Sequence, residues 1–355
     1  MFNKKHRLII ITMIILLIIL AGCQSPSQEV PQDQNNNQEE NQPGDEQLAE
    51  EVEAFVSLFP EIVHDVTENT VTFVGGEEIL TVTRNPQRVV VLQNSILDLW
   101  YLAGGEAIAR VDGTTNVPDE AMDLPTVGST SGFSLEAVIA MEPDLVIMST
   151  AFSSHREIIP ALIENNIEFV PITANMGPYD GFNRNLYLFS KILDRDDIFE
   201  TQIHEITEDV SGLIDKVAVI DEKPSVAILF TSSRSVQLEL NNSLAGEIAY
   251  MLGYENIASE TGVDGANKVA FSMERLLELD PDFILVTTMG DLEQCEERLE
   301  QDVKSHEAWA TLTAVKEDRI HFLPSDLFMF RPNARYPEAF EYMARIVTPE
   351  VFNLD

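Results

Sequence analysis

One short unit occurs twice in this sequence. Residues 134–148 read SLEAVIAMEPDLVIM, and residues 272–286, which lie 138 positions further on, read SMERLLELDPDFILV. Four residue types stand in register: Ser134/Ser272, Glu136/Glu274, Pro143/Pro281 and Asp144/Asp282. In each copy the serine is placed to cap a helix, the proline to end it, and the apolar run after the aspartate to form a buried strand. A unit duplicated at this spacing predicts two lobes of similar α/β build.

Strands and helices alternate around the repeat. Apolar runs predict buried strands, helical patterns lie between them, and the segment around Gly75-Gly76 predicts a hairpin. The run 194–217 keeps helical spacing, and a helix of that length spans roughly 35 Å, enough to bridge two lobes. We therefore predict an α/β fold of two Rossmann-like lobes, each with a mainly parallel sheet, joined by a single long helix.

The first 23 residues have the composition of an export signal. Three basic residues within the first seven positions precede a 13-residue apolar run at 8–20, and Leu-Ala-Gly-Cys follows it. The run is too short to span a membrane comfortably, so residues 1–22 are predicted to be a signal peptide. The ending resembles the lipobox of bacterial lipoproteins, which makes Cys23 the expected lipid anchor. A plain membrane helix is the alternative.

Composition divides the rest of the chain. The predicted segments are a polar, acidic and Gln/Asn-rich linker at 23–66 with a short amphipathic helix at 48–59, an N-terminal lobe at 67–193, the connecting helix at 194–217, and a C-terminal lobe at 218–355. The linker is nearly devoid of apolar residues before position 47, so it cannot bury enough surface to fold on its own.

Charge and motif content exclude several classes of protein. Acidic residues outnumber basic ones 60 to 22, and a formal charge of -38 repels phosphate backbones, which excludes nucleic-acid binding. With Cys23 lipidated, Cys295 has no partner for an intrachain disulfide. The histidines form no HxH or HxxxH pair, which disfavours a bare transition-metal site. The chain has no GxSxG, Walker A, HExxH or dinucleotide-binding motif, so we predict no enzymatic activity and no cofactor.

Several stretches, taken in order, resemble a known family. They are NPQRVVVL at 85–92, LPTVGS at 124–129, the repeat itself, HEAW at 306–309, LTAVKEDRI at 312–320, SDLF at 325–328 and RPNAR at 331–335. Together they are similar to the substrate-binding proteins of ABC importers for iron-siderophores, haem and cobalamin. The resemblance covers about 68–350 and implies two lobes with the ligand in a cleft between them. Open α/β sheets bind ligands at the carboxyl ends of their strands, which points to the same cleft.

The resemblance also assigns a role to the repeated glutamates. In this family one acidic residue per lobe docks into arginine pockets on the two permease subunits, and the matching positions are Glu136 and Glu274. Carboxylate and guanidinium pair well in that way. The alternative is that each glutamate only stabilises the N-terminus of its helix. The expected partners are therefore an ABC permease dimer and a metal chelate, for a monomeric protein anchored by lipid on the outer face of the bacterial cytoplasmic membrane.

Polar and aromatic residues at predicted strand ends are the candidate ligand-binding residues. The selected set is Asn94, Ser95, Ser129, Ser153, Asn175, Met176, Arg234, Asn242, Met289, Phe328 and Arg331. Gln93, Ser149 and Phe152 stand at the same strand ends. Arg234 and Arg331 are notable because basic residues are scarce and an anionic ferric chelate needs counter-charges. Salt bridges with the abundant carboxylates are the alternative for both arginines.

The nature of the ligand stays open at this point. An iron-siderophore or related chelate is the first hypothesis, and haem or a corrinoid is the alternative within the same class. For haem, His155 with Met176 or Met289 could supply axial ligands. An exported α/β enzyme using the same cleft, or a receptor that senses the ligand without transport, are the alternatives from other classes.

Overall fold

The fold is taken from a computed structural model that describes residues 62–76, 78–173, 177–259 and 266–352. The predicted signal peptide and the helix at 48–59 lie outside the described residues. So do Cys23, Asn175 and Met176.

The first lobe is a three-layer α/β unit with a small antiparallel sheet at its edge. In chain order its elements are β1 (Val63–Val66), β2 (Thr70–Gly75), β3 (Glu78–Thr83), β4 (Val89–Val91), α1 (Asn94–Leu102), β5 (Ala109–Arg110), β6 (Gly128–Ser129), β7 (Gly132–Phe133), α2 (Leu135–Ala140), β8 (Leu145–Ser149), α3 (Ser153–Glu157), α4 (Ile159–Glu164), β9 (Glu168–Ile172) and α5 (Pro178–Leu193). The central sheet has the order β5-β4-β8-β9 and all its strands are parallel. The predicted hairpin is confirmed as the β2–β3 pair, to which β1 adds a third strand.

The second lobe has a mixed sheet. Its elements follow α6 (Asp196–Ala218) and are β10 (Ser225–Ser232), β11 (Val236–Glu239), α7 (Leu244–Met251), β12 (Glu255–Asn256), β13 (Lys268–Ala270), α8 (Met273–Leu279), β14 (Phe283–Met289), α9 (Leu292–Leu299), α10 (Thr313–Lys316), β15 (Ile320–Phe322), α11 (Ser325–Phe328) and α12 (Tyr336–Val347). The strand order is β13-β11-β10-β14-β15, with β12 beside β10. Strands β12, β10, β14 and β15 are parallel, whereas β11 runs antiparallel to both β10 and β13. The predicted α/β fold with two lobes is confirmed.

The two copies of the repeated unit form the same local structure. Ser134 caps α2 by accepting a hydrogen bond from the Ala137 backbone N–H at 3.1 Å, and Ser272 caps α8 in the same way. Each unit then turns through a residue in the left-handed region just before its proline, with φ of +47° at Glu142 and +40° at Asp280. The strands that follow, β8 and β14, lie in the interior of their sheets.

One apolar cluster runs through the middle of both lobes. It takes residues from one face of each sheet and from the helices between them: Val89 and Val91 from β4, Phe189 from α5, Phe199 and Ile206 from α6, Val226 and Ile228 from β10, and Phe340 from α12. The outer face of each sheet has its own separate cluster under the remaining helices. Helix α6 has 23 residues and lies where the sequence predicts a helix at 194–217.

Cys295 is fully buried on α9. Its thiol donates weakly to the carbonyls of Thr231 and Met289, both at 3.5 Å, and burial raises the pKa of this thiol. Over the described ranges, no helix combines the length and the apolar character that crossing a membrane requires. The same ranges contain no group of three or more His, Cys, Asp or Glu side chains arranged to hold a metal ion.

Candidate functional site

A cavity of about 140 Å³ opens at the carboxyl ends of the first-lobe strands and is closed on one side by the second lobe. Residues that follow different strands line this cavity together because the carboxyl ends of parallel strands meet at one edge of a sheet. The lining residues are Gln93, Ser95, Ile96 and Leu99 after β4, Ser149, Ala151 and Phe152 after β8, Ile172 and Thr173 at β9, Asn185 from α5, and Arg331 from the second lobe.

Hydroxyl and amide groups make up the polar wall of this cavity. The Gln93 amide nitrogen donates to Ser95 Oγ at 3.0 Å, while its carbonyl oxygen is buried without a partner among the described residues. Ser149 Oγ accepts a hydrogen bond from the Ala151 backbone N–H at 3.3 Å. The hydroxyl protons of Ser95 and Ser149 remain available to an oxygen of a bound molecule. These residues follow directly after strands, where sequence alone places them.

Arg331 brings a positive charge to the cavity from the opposite lobe. Its Nη1 donates to the Pro178 carbonyl at a long 3.5 Å, and its own carbonyl accepts from the Asn116 amide at 2.5 Å, which holds the loop against the first lobe. The guanidinium forms no ion pair with any described carboxylate, in a chain where carboxylates are abundant. The alternative of a salt bridge does not apply to Arg331 within the described part of the chain.

Two of the eleven residues in the predicted set, Ser95 and Arg331, line the cavity. Arg234 is exposed and lies outside it, again without an ion pair to a described residue. Met289 is half exposed at the carboxyl end of β14. Ser129 and Ser153 are exposed in the first lobe.

Three predicted residues are occupied by local structure. Phe328 is 1% exposed and packs in the core against Tyr342, so it cannot line the cleft; an aromatic residue near a strand end was in this case core filling. Asn94 donates its side-chain amide to the Asp112 carbonyl at 3.0 Å. Asn242 donates to the Ala266 carbonyl at 3.1 Å. Both asparagines thus fasten loops, as polar residues after strands commonly do.

His155 is not available to a haem iron, and its prediction as an axial ligand is wrong. The ring is fully buried between Phe133 and Phe152. Its Nδ1 accepts from the Ser149 backbone N–H at 3.1 Å, so Nε2 carries the proton and donates to the Thr130 carbonyl at 2.6 Å. Burial lowers the pKa of His155, against a smaller opposing effect of the Thr130 carbonyl, and keeps the ring neutral.

Asn185 and Gly181 are contributions to the site that sequence reasoning missed. Both lie on α5, a segment in which no helix was predicted. Tyr179, on the first turn of this helix, is buried, and burial raises its pKa to about 12. The signal that could have identified this helix is the proline at its first position, Pro178, after the loop that follows β9.

The two repeated glutamates stand exposed on the first turns of α2 and α8. A helix that leads into a parallel strand runs antiparallel to it, so both helices start at the carboxyl edge of their sheets, the edge that carries the cavity. The backbone N–H of Glu136 itself, and then the Ser134 hydroxyl at 3.0 Å, lower the pKa of Glu136 and hold it ionised.

A second, wider groove of about 590 Å³ lies on the outer surface beside α9. Glu296, Glu297, Glu300 and Lys304 are among its lining residues, which makes its wall predominantly negative. Phe322 at the carboxyl end of β15 also lines it, and the carboxylates of the groove would repel an anionic molecule. The smaller interlobe cavity is therefore the better candidate for an anionic ligand.

Comparisons with known proteins agree with this geometry. Residues 89–327 match the model of the periplasmic binding protein family. The chain is 24% identical over 278 residues to the Fe(3+)-citrate-binding protein YfmC of Bacillus subtilis, covering 77% of this chain and 83% of that protein. It is 26% identical over 222 residues to the vitamin B12-binding protein of Pectobacterium atrosepticum, covering 58% and 73%.

Solved structures show the same fold. The crystal structure of Staphylococcus aureus IsdE complexed with heme aligns with a TM-score of 0.64 and 18% sequence identity, covering 74% of this chain and 98% of that one. The periplasmic vitamin B12 binding protein BtuF of Vibrio cholerae aligns with a TM-score of 0.59 and 18% identity, covering 76% and 99%. Identities this low bear on the architecture alone.

Proposed function

Since the chain belongs to the periplasmic binding protein family, and is thus a substrate-binding protein of an ABC importer rather than an enzyme, we propose that its substrate is an anionic iron(III) chelate with carboxylate or related oxygen donors. The first-named relative, which binds iron citrate, supports this choice. Relatives named for vitamin B12 and for heme uptake define the alternatives within the class.

The observation that carries this proposal is the unpaired guanidinium of Arg331 at the interlobe cavity. A chain with 60 acidic and 22 basic residues has carboxylates available to almost any arginine. Arg331 nevertheless forms no ion pair with a described residue, and hydroxyl and amide groups surround the cavity that it closes. A guanidinium pairs with a carboxylate through two parallel hydrogen bonds, and serine hydroxyls donate to the remaining oxygens.

The size and chemistry of the cavity favour a chelate with small arms over a macrocycle. Its volume of about 140 Å³ is below the ~300–1,000 Å³ that pockets for drug-sized ligands usually have. It accepts an arm of a ligand whose remainder lies in the open cleft. A haem iron also needs an axial side chain, and His155, which lies beside the cavity residue Phe152, has both ring nitrogens committed to backbone groups.

A binding titration tests the substrate. Trp100 is fully buried on α1, next to the cavity residue Leu99, so its fluorescence reports on ligand binding. We expect ferric citrate to quench it with saturation. Arg331→Gln should weaken binding about 10- to 100-fold, the effect of losing a charged hydrogen-bonding group. Arg319→Gln, which changes an exposed arginine away from the cleft, is the matched control. Tighter binding of haemin or cobalamin than of ferric citrate would contradict the proposal.

We also propose that Glu136 and Glu274 dock the protein on the permease, and that Cys23 carries the lipid that keeps it at the outer face of the membrane. Support comes from the matching positions of both glutamates on exposed first turns at the carboxyl edges of the two sheets. The double variant Glu136→Ala with Glu274→Ala should abolish ligand uptake by cells and leave ligand affinity unchanged. Glu164→Ala with Glu297→Ala, two exposed glutamates elsewhere, is the control pair. Normal uptake with the first pair would discard the docking role.

A further inference from the structure

Asn185 is a mostly buried residue whose side-chain hydrogen-bonding groups are not used by the protein. It is 5% exposed, and its carboxamide forms no hydrogen bond with any of the described residues. Its amide atoms are not among the fully enclosed polar atoms, so they are accessible from the cavity. An amide can donate two hydrogen bonds and accept two. Asn185 lines the interlobe cavity, so its unused hydrogen-bonding groups are open to a molecule bound there.

The face of α5 that carries Asn185 also leaves room for the Arg331 side chain beside the cavity. Gly181 lies four residues earlier, so the two residues share one face of α5. A Cβ atom on Gly181 would come within 3.1 Å of Arg331 Nη1. The absence of a side chain at 181 lets the guanidinium of the second lobe lie over the first turns of α5, one turn from the Asn185 amide.

From this arrangement we propose that Asn185 is a ligand-binding residue, which together with Arg331 clamps one carboxylate or hydroxycarboxylate arm of the chelate. The inference rests on the proposed function, because it concerns the same cavity and the same class of ligand. Asn185 donates its amide N–H groups to a carboxylate oxygen, and its carbonyl oxygen accepts from a ligand hydroxyl. Arg331 supplies the charge from the other lobe. The helix α5 thus forms the floor of the site and contributes to its specificity.

A binding role and a structural role make opposite predictions for the removal of this amide. If the ligand is its partner, replacing the amide by an apolar group of similar size removes only contacts with water from the free protein, but a hydrogen bond from the complex. Stability of the free protein then stays equal or rises while affinity falls. If the amide only supports the fold, stability falls and affinity is kept.

The test is a set of ferric citrate titrations and thermal melts on three variants of the full chain. We expect Asn185→Leu to raise Kd about 10- to 100-fold, from the loss of hydrogen bonds to a charged group, with an unchanged or higher Tm of the free protein. Asn185→Ala removes the amide without added bulk and covers the case in which leucine does not fit. Asn183→Leu is the matched control, since Asn183 is 2% exposed on the same helix but does not line the cavity. It should leave Kd unchanged.

The outcomes separate this inference from the function on which it rests. If wild-type protein binds ferric citrate and both Asn185 variants bind it equally well, the inference is overturned and the proposed function stands. If affinity falls only in step with a loss of Tm, a structural role explains the result and the inference is again overturned. If wild-type protein does not bind ferric citrate, the proposed function is overturned and takes the inference with it.

Discussion

At the scale of single residues, the aspartates of the repeated unit connect each copy to its neighbouring strand. The Asp144 carboxylate accepts hydrogen bonds from the backbone N–H groups of Gln87 and Arg88, at 2.7 and 2.9 Å, just before β4. The Asp282 carboxylate accepts from both the backbone N–H and the hydroxyl of Ser225, at the start of β10. In both copies, therefore, the aspartate links the unit to the neighbouring strand inside the fold, whereas the glutamate is exposed on the surface.

These aspartates can be tested as a pair. We expect Asp144→Ala and Asp282→Ala each to lower the free energy of unfolding by about 1–3 kcal/mol, because backbone donors at the start of a strand lose a charged acceptor. The two effects should add, since the aspartates serve different sheets and share no partner. Urea denaturation measures both effects. Asp123→Ala, an exposed aspartate without a side-chain hydrogen bond among the described residues, should have little effect. Equal losses for Asp123→Ala and Asp144→Ala would contradict this explanation.

His155 makes the stability of the first lobe dependent on pH. Burial lowers its pKa in the folded state below the ordinary value of 6.5. Below that value the unfolded chain binds a proton that the folded chain excludes, so stability is full above about pH 6.5 and falls as the pH decreases toward the folded pKa.

The expected result is a Tm that decreases between pH 7.5 and pH 5.5 in the wild type. In His155→Gln this decrease should be smaller, although the variant is less stable overall because it loses the contacts to Ser149 and Thr130. Differential scanning calorimetry across this range measures the slope. His204→Gln, which changes a more exposed histidine on α6, is the control. An unchanged slope in His155→Gln would show that other groups titrate.

At the scale of helices, two helical glycines have different surroundings. Gly212 lies in the interior of α6, is exposed, and has no atom within 4 Å of the place where a Cβ would stand. Gly246 lies in the first turn of α7, where a Cβ would come within 2.0 Å of the Leu240 carbonyl oxygen.

Alanine at these positions should therefore have opposite effects. Gly212→Ala should stabilise the protein by about 0.5–1 kcal/mol, the difference in helix propensity between the two residues. Gly246→Ala should destabilise it by about 1–3 kcal/mol, the usual cost of forcing extra atoms into a packed site. Chemical denaturation measures both. Loss of stability in Gly212→Ala would show that α6 makes a close contact at that position which the structure does not contain.

The helices also show where sequence reasoning succeeds. Elements with a strong local pattern lie where the sequence predicts them: the capped helices α2 and α8 and the strands β8 and β14 of the repeated unit, and the long helix α6. Helix α5 was missed although its apolar residues recur at helical spacing, because polar residues are buried on it together with the apolar ones. Its buried positions include Asn183, Asn185 and Ser190 beside Phe182 and Phe189.

The candidate site was predictable only in part, for a related reason. Residues directly after strands, such as Ser95, can be assigned because the strand register fixes the edge on which they lie. Asn185 and Gly181 enter the site through the tertiary packing of α5, and a local pattern that indicates a helix does not show what its faces pack against. Phe328 and His155 have residue types that are common in binding sites. Phe328 packs in the core instead, and both ring nitrogens of His155 form hydrogen bonds with backbone groups.

At the scale of the whole molecule, the two lobes are held in a fixed relation. A single apolar cluster continues from the β4 sheet through α5, α6 and α12 to the β10 sheet. Polar bonds add to it: the buried Asn333 amide donates to the Ser95 carbonyl and to the Asp98 carboxylate, both at 2.7 Å. Rotation of one lobe against the other would break this shared core, which is costly in a close-packed interior.

We therefore expect little change of shape on binding. Small-angle X-ray scattering of the free and the ferric-citrate-loaded protein should give superimposable curves, and calorimetry should show one unfolding transition for both lobes. The Asn333→Ala variant should lower Tm by removing two interlobe hydrogen bonds, without splitting the transition. A compaction on loading, or two separate transitions, would contradict the fixed relation between the lobes.

The continuous core has a consequence for how a transporter recognises its loaded donor. Because no large fraction of the binding free energy is consumed in closing the lobes, the apparent affinity reflects the intrinsic fit of the pocket rather than a preceding conformational equilibrium. A permease then cannot detect that ligand is bound from a rotation of one lobe relative to the other. It has to sense the chelate itself, or the few side chains around it, across a surface whose two anchoring points stay at a constant separation.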